Sequence, residues 1–201
     1  MKINQKLIYF IGILFLMFGI YLSVFQKEPH FYTFFSIGLT IILFQIYNSI
    51  SKKKLFNKWK IKQYILFGVL LIIVSIIIDR MGLFLGYWGD QYETLFDEIL
   101  KYVFEWGIAL LYVALTFIIG INIFEKKFSK NTSSILSLLT FVILIGLFTE
   151  YINNFSNSWT IIKMPFINYK IGEFFVVFQT IGYWLMAIIP LIIYKFTNKL
   201  K

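Results

Sequence analysis

Four carboxylic acids lie inside or at the edge of long apolar stretches: Asp79, Glu105, Glu150 and Glu173. An acid within such sequence usually faces a cavity or a partner, because an isolated charge in hydrocarbon is costly. Converging carboxyls can share protons for acid–base catalysis or hold a divalent cation through oxygen ligands. The simpler alternatives are solvated helix-boundary residues for Glu150 and Glu173, and an ion pair with Arg80 for Asp79. We take the four acids as candidate catalytic residues.

Tryptophans accompany these acids. Trp88 follows Asp79 by nine residues, and Trp159 follows Glu150 by nine. An aromatic face can stabilise a cation by ~2 kcal/mol or more when both are desolvated. Tryptophan is also common at membrane interfaces for reasons unrelated to chemistry. We take four tryptophans as candidate substrate-binding residues: Trp88, Trp106, Trp159 and Trp184.

Other kinds of site are excluded by the residue types that the chain lacks. It contains no cysteine and one histidine, His30, so disulfides, thiolate metal sites, cysteine nucleophiles and histidine clusters within one chain are ruled out. His30 follows Pro29 in a short turn, and we interpret it as a solvated turn residue. The glycines form no phosphate-binding loop. We expect neither a cofactor nor a dedicated metal site.

The candidate residues must be positioned by membrane-spanning helices. Of 201 residues, 59% are hydrophobic and 14% are charged, whereas soluble domains have about 45–50% and about 25%. Lipid offers no partner for backbone N–H and C=O groups, so helices are the economical solution. The third apolar run is short but continues beyond Asp79 and Arg80. We predict an all-α integral membrane protein with six transmembrane helices, over the runs 7–26, 31–51, 63–78, 106–124, 131–149 and 174–194.

Basic residues predict the orientation of the chain. With both termini in the cytoplasm, 14 of the 19 Lys and Arg residues fall on the cytoplasmic side, as the positive-inside rule requires. Nine of the ten acids then fall on the outer side. We expect the lysine-rich loop at 52–62 to touch anionic lipid rather than nucleic acid. The predicted location is the plasma membrane, with multiple spans.

The shared acid-to-tryptophan spacing predicts an internal repeat. Helices three and four would form one outward-then-inward hairpin, and helices five and six a second hairpin parallel to it. Such repeats are related by an axis along the membrane normal, with a site between them. We divide the chain into an N-terminal hairpin with its basic loop (1–62) and a four-helix domain (63–201), whose repeats are 63–128 and 129–201. Coincidence is the alternative explanation for one shared spacing.

The segment 79–88, DRMGLFLGYW, resembles the small integral-membrane lycopene cyclase domains of bacterial and archaeal carotenoid pathways. In that family an aspartate is followed by glycine seven positions on and by tryptophan two further, as Asp79, Gly86 and Trp88 are here. A Pro-x-Glu-Glu motif then opens the next helix. Glu105 matches its first glutamate, while the proline is absent and Trp106 replaces the second glutamate. The second half matches more loosely, through Glu150, Trp159 and Glu173.

The resemblance implies an activity that needs no cofactor: cyclisation of a polyene end by an intramolecular lyase or isomerase. A proton adds to a double bond, the cation closes a ring, and another proton leaves. A buried carboxylic acid can donate that proton. The implied roles are Glu105 as acid and Asp79 or Glu150 as base, with Trp88, Trp106 and Trp184 as walls.

Two other classes of function fit the same residues. One is the substrate-binding membrane subunit of an importer for a cationic vitamin or a metal ion, with the acids and tryptophans holding a cation. The other is an accessory or immunity-type membrane protein without chemistry. The expected partners are membrane lipids and a lipophilic substrate. A homo-oligomer, a hetero-oligomer and a monomer are all compatible with the sequence.

Overall fold

Six helices of the computed structural model are long and apolar enough to cross a membrane. The structure describes residues 5–51, 54–57, 59–90, 94–164, 168–172 and 174–199, and Glu173 lies outside them. The spans are α1 (Gln5–Gln26), α2 (Phe31–Ile50), α3 (Ile61–Phe84), α4 (Leu95–Phe124), α5 (Lys130–Ser156) and α6 (Phe178–Lys199). The prediction of an all-α, multi-pass membrane protein is confirmed.

Charged residues do not mark the end of α3 or the start of α4. Helix α3 continues beyond Asp79 and Arg80, as predicted, and ends at Phe84. Helix α4 begins at Leu95 rather than at 106, so Glu105 lies well inside it. The cause is a capping box in which Thr94 and Asp97 each accept a hydrogen bond from the other's backbone N–H, at 3.2 and 3.1 Å. Polar residues therefore extend this helix instead of ending it.

Helix α4 lies at the centre of the bundle and is its most buried span. It packs against α2, α3, α5 and α6. Leu110, Tyr112 and Val113 are fully buried and form the middle of the core. Helix α1, by contrast, packs mainly against α2 and exposes most of its apolar side chains, as a lipid-facing helix does. The central position of α4 places Glu105 and Trp106 between the other helices.

Two short antiparallel strand pairs connect the loops. Strand β1 (Trp88–Asp90) follows α3, and β2 (Trp159–Ile161) follows α5. They pair so that Trp88 faces Ile161 and Asp90 faces Trp159, with Gly89 opposite Thr160 at the centre. Strands β3 (Lys170–Ile171) and β4 (Phe174–Phe175) form a second pair before α6. The β1–β2 ribbon thus joins the two loops that carry the acid–tryptophan spacing.

The N-terminal hairpin depends on glycine. A Cβ on Gly19 of α1 would lie 2.5 Å from the backbone nitrogen of the fully buried Phe35 in α2. A Cβ on Gly38 of α2 would likewise collide with the backbone of Leu16. The two helices therefore approach backbone to backbone, as small residues allow in membranes.

We expect Gly19→Ala to lower the free energy of unfolding in detergent micelles by the ~1–3 kcal/mol typical of overpacking. The melting temperature should fall accordingly. The matched control is Gly68→Ala in α3, where an added Cβ would meet no atom within 4 Å. Alanine is the better helix former, so the control variant should melt at the wild-type temperature or above it. Equal melting temperatures for the two variants would contradict the close approach of α1 and α2.

Candidate functional site: two buried carboxyls and their tryptophans

Asp79 is fully buried and accepts three hydrogen bonds. The indole N–H of Trp88 donates to Oδ1 at 3.2 Å. The ammonium of Lys101 and the hydroxyl of Tyr102 donate to Oδ2 at 2.9 and 2.8 Å. Lys101 and Asp79 form an ion pair whose side chains are 3% and 1% exposed. The charge of this carboxylate is therefore balanced inside the protein.

Arg80 is not the partner of Asp79, so that interpretation was wrong. Its guanidinium pairs with Glu98 at 2.6 Å, and both side chains are partly exposed. Consecutive helical residues do not face each other. The buried face of α3 therefore holds Asp79, and the adjoining exposed face holds Arg80.

Glu150 is 5% exposed and has a similar set of donors. The indole N–H of Trp159 lies 3.1 and 3.3 Å from its two oxygens. The hydroxyl of Tyr183 donates to Oε1 at 3.0 Å. Among the residues that the structure describes, no Lys, Arg or His forms an ion pair with Glu150. Both acid–tryptophan pairs noted in the sequence are thus direct hydrogen bonds, but only that of Asp79 includes a cation.

The nine-residue spacing has a local cause. In both segments the residue seven positions after the acid adopts a left-handed conformation: Gly86 at φ +66° and Asn157 at φ +53°. Such a residue ends a helix and reverses the chain. The tryptophan two positions later then folds back over the last turn and reaches the carboxyl. Asn is the non-glycine residue that tolerates this conformation most readily, which is why Asn157 can stand where the first segment has Gly86.

The two tyrosines were missed by the sequence analysis. Tyr102 lies within a π-helical turn of α4, Lys101–Trp106, and Tyr183 directly follows another in α6, Phe178–Gly182. π-Helical turns are rare in proteins, and those that occur are frequently found at functional sites. The available signal was a tyrosine early in each helix that follows an acid–tryptophan pair. The chain contains 13 tyrosines, so a tyrosine at such a position is weak evidence of a functional role.

Glu105 belongs to a different polar cluster. It is 1% exposed and accepts a hydrogen bond from Thr33 Oγ1 of α2 at 3.1 Å. His30 lies between two carboxyls: its Nδ1 is 3.6 Å from Glu105 and its Nε2 is 3.1 Å from Asp97. His30 lies in the turn before α2, as predicted, and its side chain is 30% exposed, but it contacts two carboxyls rather than solvent alone. The helix extension to Leu95, which the apolar pattern did not predict, is what brings Asp97 to it.

One small cavity lies beside Glu150, and a larger groove shares part of its wall. The smaller has a volume of about 20 Å³, room for about one water molecule. Its walls include Glu150 and the side chains of Tyr32, Trp106, Trp159, Phe178, Tyr183 and Met186. The larger is an apolar groove of about 250 Å³ between α3 and α6, with Trp88 at one wall. Three side chains line both spaces: Trp106, Phe178 and Met186.

The remaining candidate residues lie elsewhere. The Trp184 indole donates to the backbone carbonyl of Leu138 at 3.1 Å and lines neither cavity. Glu173 lies outside the described residues. Within those residues, no three Asp, Glu or His side chains form a group that could hold a metal ion. Asp79, Glu105 and Glu150 instead have separate sets of partners.

Comparison with protein families, characterised proteins and solved structures finds no match to this chain. Its class is therefore defined by what it contains: six helices able to span a membrane, and two buried carboxyls, each bound by a tryptophan nine residues later. The resemblance to lycopene cyclase domains depends on the motif residues alone.

The His30 cluster predicts a pH-dependent stability. The interaction with the Glu105 carboxyl, 3.6 Å away, raises the pKa of His30 above the ordinary 6.5, and the charges of Asp97 and Glu28 add to this, while burial opposes it. A raised folded-state pKa stabilises the protein fully below the unfolded value of 6.5, and this contribution is lost as pH rises through the folded value.

Melting temperatures in micelles should therefore fall as pH rises from 6 to 9, and the His30→Gln variant should lose part of this slope. Asp97→Asn, which removes one charge beside the imidazole, should give an intermediate slope. An unchanged slope in His30→Gln would show that other groups cause the pH dependence.

Proposed function

We propose that this protein binds an isoprenoid or polyene lipid in the groove between α3 and α6 and catalyses acid–base cyclisation of its end. The observation that carries the proposal is the shared wall between the groove and the cavity that contains Glu150. A hydrocarbon chain can thus lie in the apolar groove with its end against Trp106, Phe178 and Met186, the side chains that also enclose Glu150. Movement of these side chains would open the small cavity to the end of the chain.

The composition of the groove supports a hydrocarbon ligand. No charged side chain is among its lining residues, so a charged or strongly polar ligand would lose hydration without gaining partners. Ile181 and Leu185 line it and are about half exposed on the surface of α6, at 52% and 53%. In a membrane that surface faces acyl chains. A long lipid could therefore enter from the side and leave most of its length in the bilayer.

The chemistry that we propose balances without a redox step. A proton from the Glu150 carboxyl adds to a terminal double bond, and the resulting carbocation is attacked by a second double bond, which forms the ring. A proton then leaves the ring carbon and returns to the carboxylate. Trp106 and Trp159 line the cavity and can stabilise the cation through their faces. Glu105, the acid implied by the resemblance, faces α2 instead, so we assign the donor role to Glu150.

We further propose that α3–α4 and α5–α6 are parallel repeats, with both termini in the cytoplasm. Three observations support the repeat: the carboxyl–indole–phenol bonds at Asp79 and Glu150, the left-handed residue seven positions after each acid, and the β1–β2 register that is symmetric about Gly89 and Thr160. The distribution of lysines supports the orientation. In that orientation the β1–β2 ribbon lies on the outer side of the plasma membrane.

A cation-binding function is the alternative, and one observation favours it. Glu150 has hydrogen-bond donors but no ion pair within the described part of the chain, and aromatic rings surround it. A carboxylate in an aromatic cavity suits a cation. The volume of about 20 Å³ fits a single small ion such as ammonium and excludes a vitamin.

Pigment analysis of cells that accumulate lycopene tests the proposed chemistry. We expect cyclic products with the wild-type chain, a loss of at least tenfold with Glu150→Gln, and retained activity with Glu105→Gln. Unchanged lycopene, with the protein present in the membrane, would overturn the cyclase proposal. Loss with Glu105→Gln but not with Glu150→Gln would overturn our choice of acid. A rise in melting temperature with ammonium, lost in Glu150→Gln, would instead support cation binding.

A second experiment tests the groove. In Ile181→Trp a large ring would fill the space between α3 and α6, so cyclic products should fall severalfold without loss of the folded protein. Ile192→Trp is the matched control, since Ile192 is on the same helix, is 60% exposed and does not line the groove. Equal activity in the two variants would show that the substrate does not use this groove.

A further inference from the structure

The two carboxyl sites have the same two types of hydrogen-bond donor and differ in one further residue, Lys101. Each carboxyl accepts from an indole N–H and a phenol hydroxyl. Asp79 also accepts from the ammonium of Lys101 at 2.9 Å. No cation pairs with Glu150 anywhere in the described ranges. The sites thus have the same kinds of neutral donor, but only Asp79 is accompanied by a cation.

The Asp79–Lys101 pair is enclosed by its surroundings. The two side chains are 1% and 3% exposed, so protein atoms enclose both charged groups. Removing one partner of a buried ion pair leaves an uncompensated charge and is strongly destabilising. Lys101 therefore compensates the charge of Asp79, and loss of either residue would leave the other charge unpaired in the protein interior.

The same pair fixes a wall of the groove. The indole of Trp88, which Asp79 binds, lies against Gly82 of α3, where any side chain would collide with the ring. It stacks on Trp106 with ring centroids 6.0 Å apart. Trp88 and Trp106 both line the groove. The position of this wall thus depends on a hydrogen bond to the carboxyl that pairs with Lys101.

We propose that Asp79 is a positioning residue, held by Lys101 as an ion pair that fixes Trp88 in the groove wall, and that Glu150 alone of the two matched carboxyls exchanges a proton. This division of roles rests on the proposed function, because it assigns the reactive group of the same site. It predicts that the identity of residue 101 determines whether one or both of the carboxyls Asp79 and Glu150 are reactive.

Labelling with N,N′-dicyclohexylcarbodiimide tests the proposal without any substrate. This apolar reagent adds to protonated carboxyls, and peptide mass spectrometry locates the adducts. In membranes containing the wild-type protein we expect an adduct at Glu150 and none at Asp79. Lys101→Met should produce a new adduct at Asp79, and Lys101→Arg, which keeps the cation, should not. An adduct at Asp79 in the wild type, no adduct at Glu150, or no gain in Lys101→Met would each overturn it.

A second measurement covers a Lys101→Met variant that fails to fold. The proposal predicts that Asp79→Asn combined with Lys101→Met melts closer to the wild type than Lys101→Met does, because the double variant leaves no uncompensated charge. A double variant that is no more stable than Lys101→Met would overturn the ion-pair role. Labelling and melting both proceed without lycopene, so failure of the cyclase proposal in the pigment assay would leave these results to be judged separately.

Discussion

A carboxyl group buried among apolar helices must be supplied with hydrogen-bond donors, and the loops of this protein are arranged around that requirement. Asp79 and Glu150 each receive an indole N–H from a residue nine positions later. For the indole to return to the acid, the helix has to end and reverse within two turns. The left-handed residues Gly86 and Asn157 make that reversal possible, and the β1–β2 ribbon then ties the two reversed segments together.

The shape of the proposed site is a consequence of this arrangement. Because each acid holds its tryptophan inward, Trp88 becomes a wall of the groove and Trp159 a wall of the small cavity. Trp106 of the central helix α4 lies between the two spaces and lines both. The hydrogen bonds that make burial of the carboxyls tolerable thus also place the apolar groove next to the cavity that contains Glu150.

Glu105 shows that burial does not by itself place an acid in a reactive site. It is as buried as Asp79, yet its contacts are with Thr33 and His30, at the junction of the N-terminal hairpin with α4. There it helps to join two parts of the bundle. The three buried acids therefore have three different surroundings: an ion pair at Asp79, a histidine cluster at Glu105, and neutral donors with aromatic rings at Glu150.

The sequence by itself determined the membrane class, the number of spans and the shared acid-to-tryptophan spacing at Asp79 and Glu150, because apolar length and residue spacing are local properties of the chain. The structure then showed that each spacing corresponds to a direct hydrogen bond. Only the tertiary structure decided which partners complete each site. Lys101 and Tyr183 come from helices that follow the acids by 22 and 33 positions, and no short-range pattern specifies their contacts. The direction in which Glu105 faces likewise depends on how α4 packs against α2. Packing between helices that are distant in sequence thus determines which partners surround a buried carboxyl.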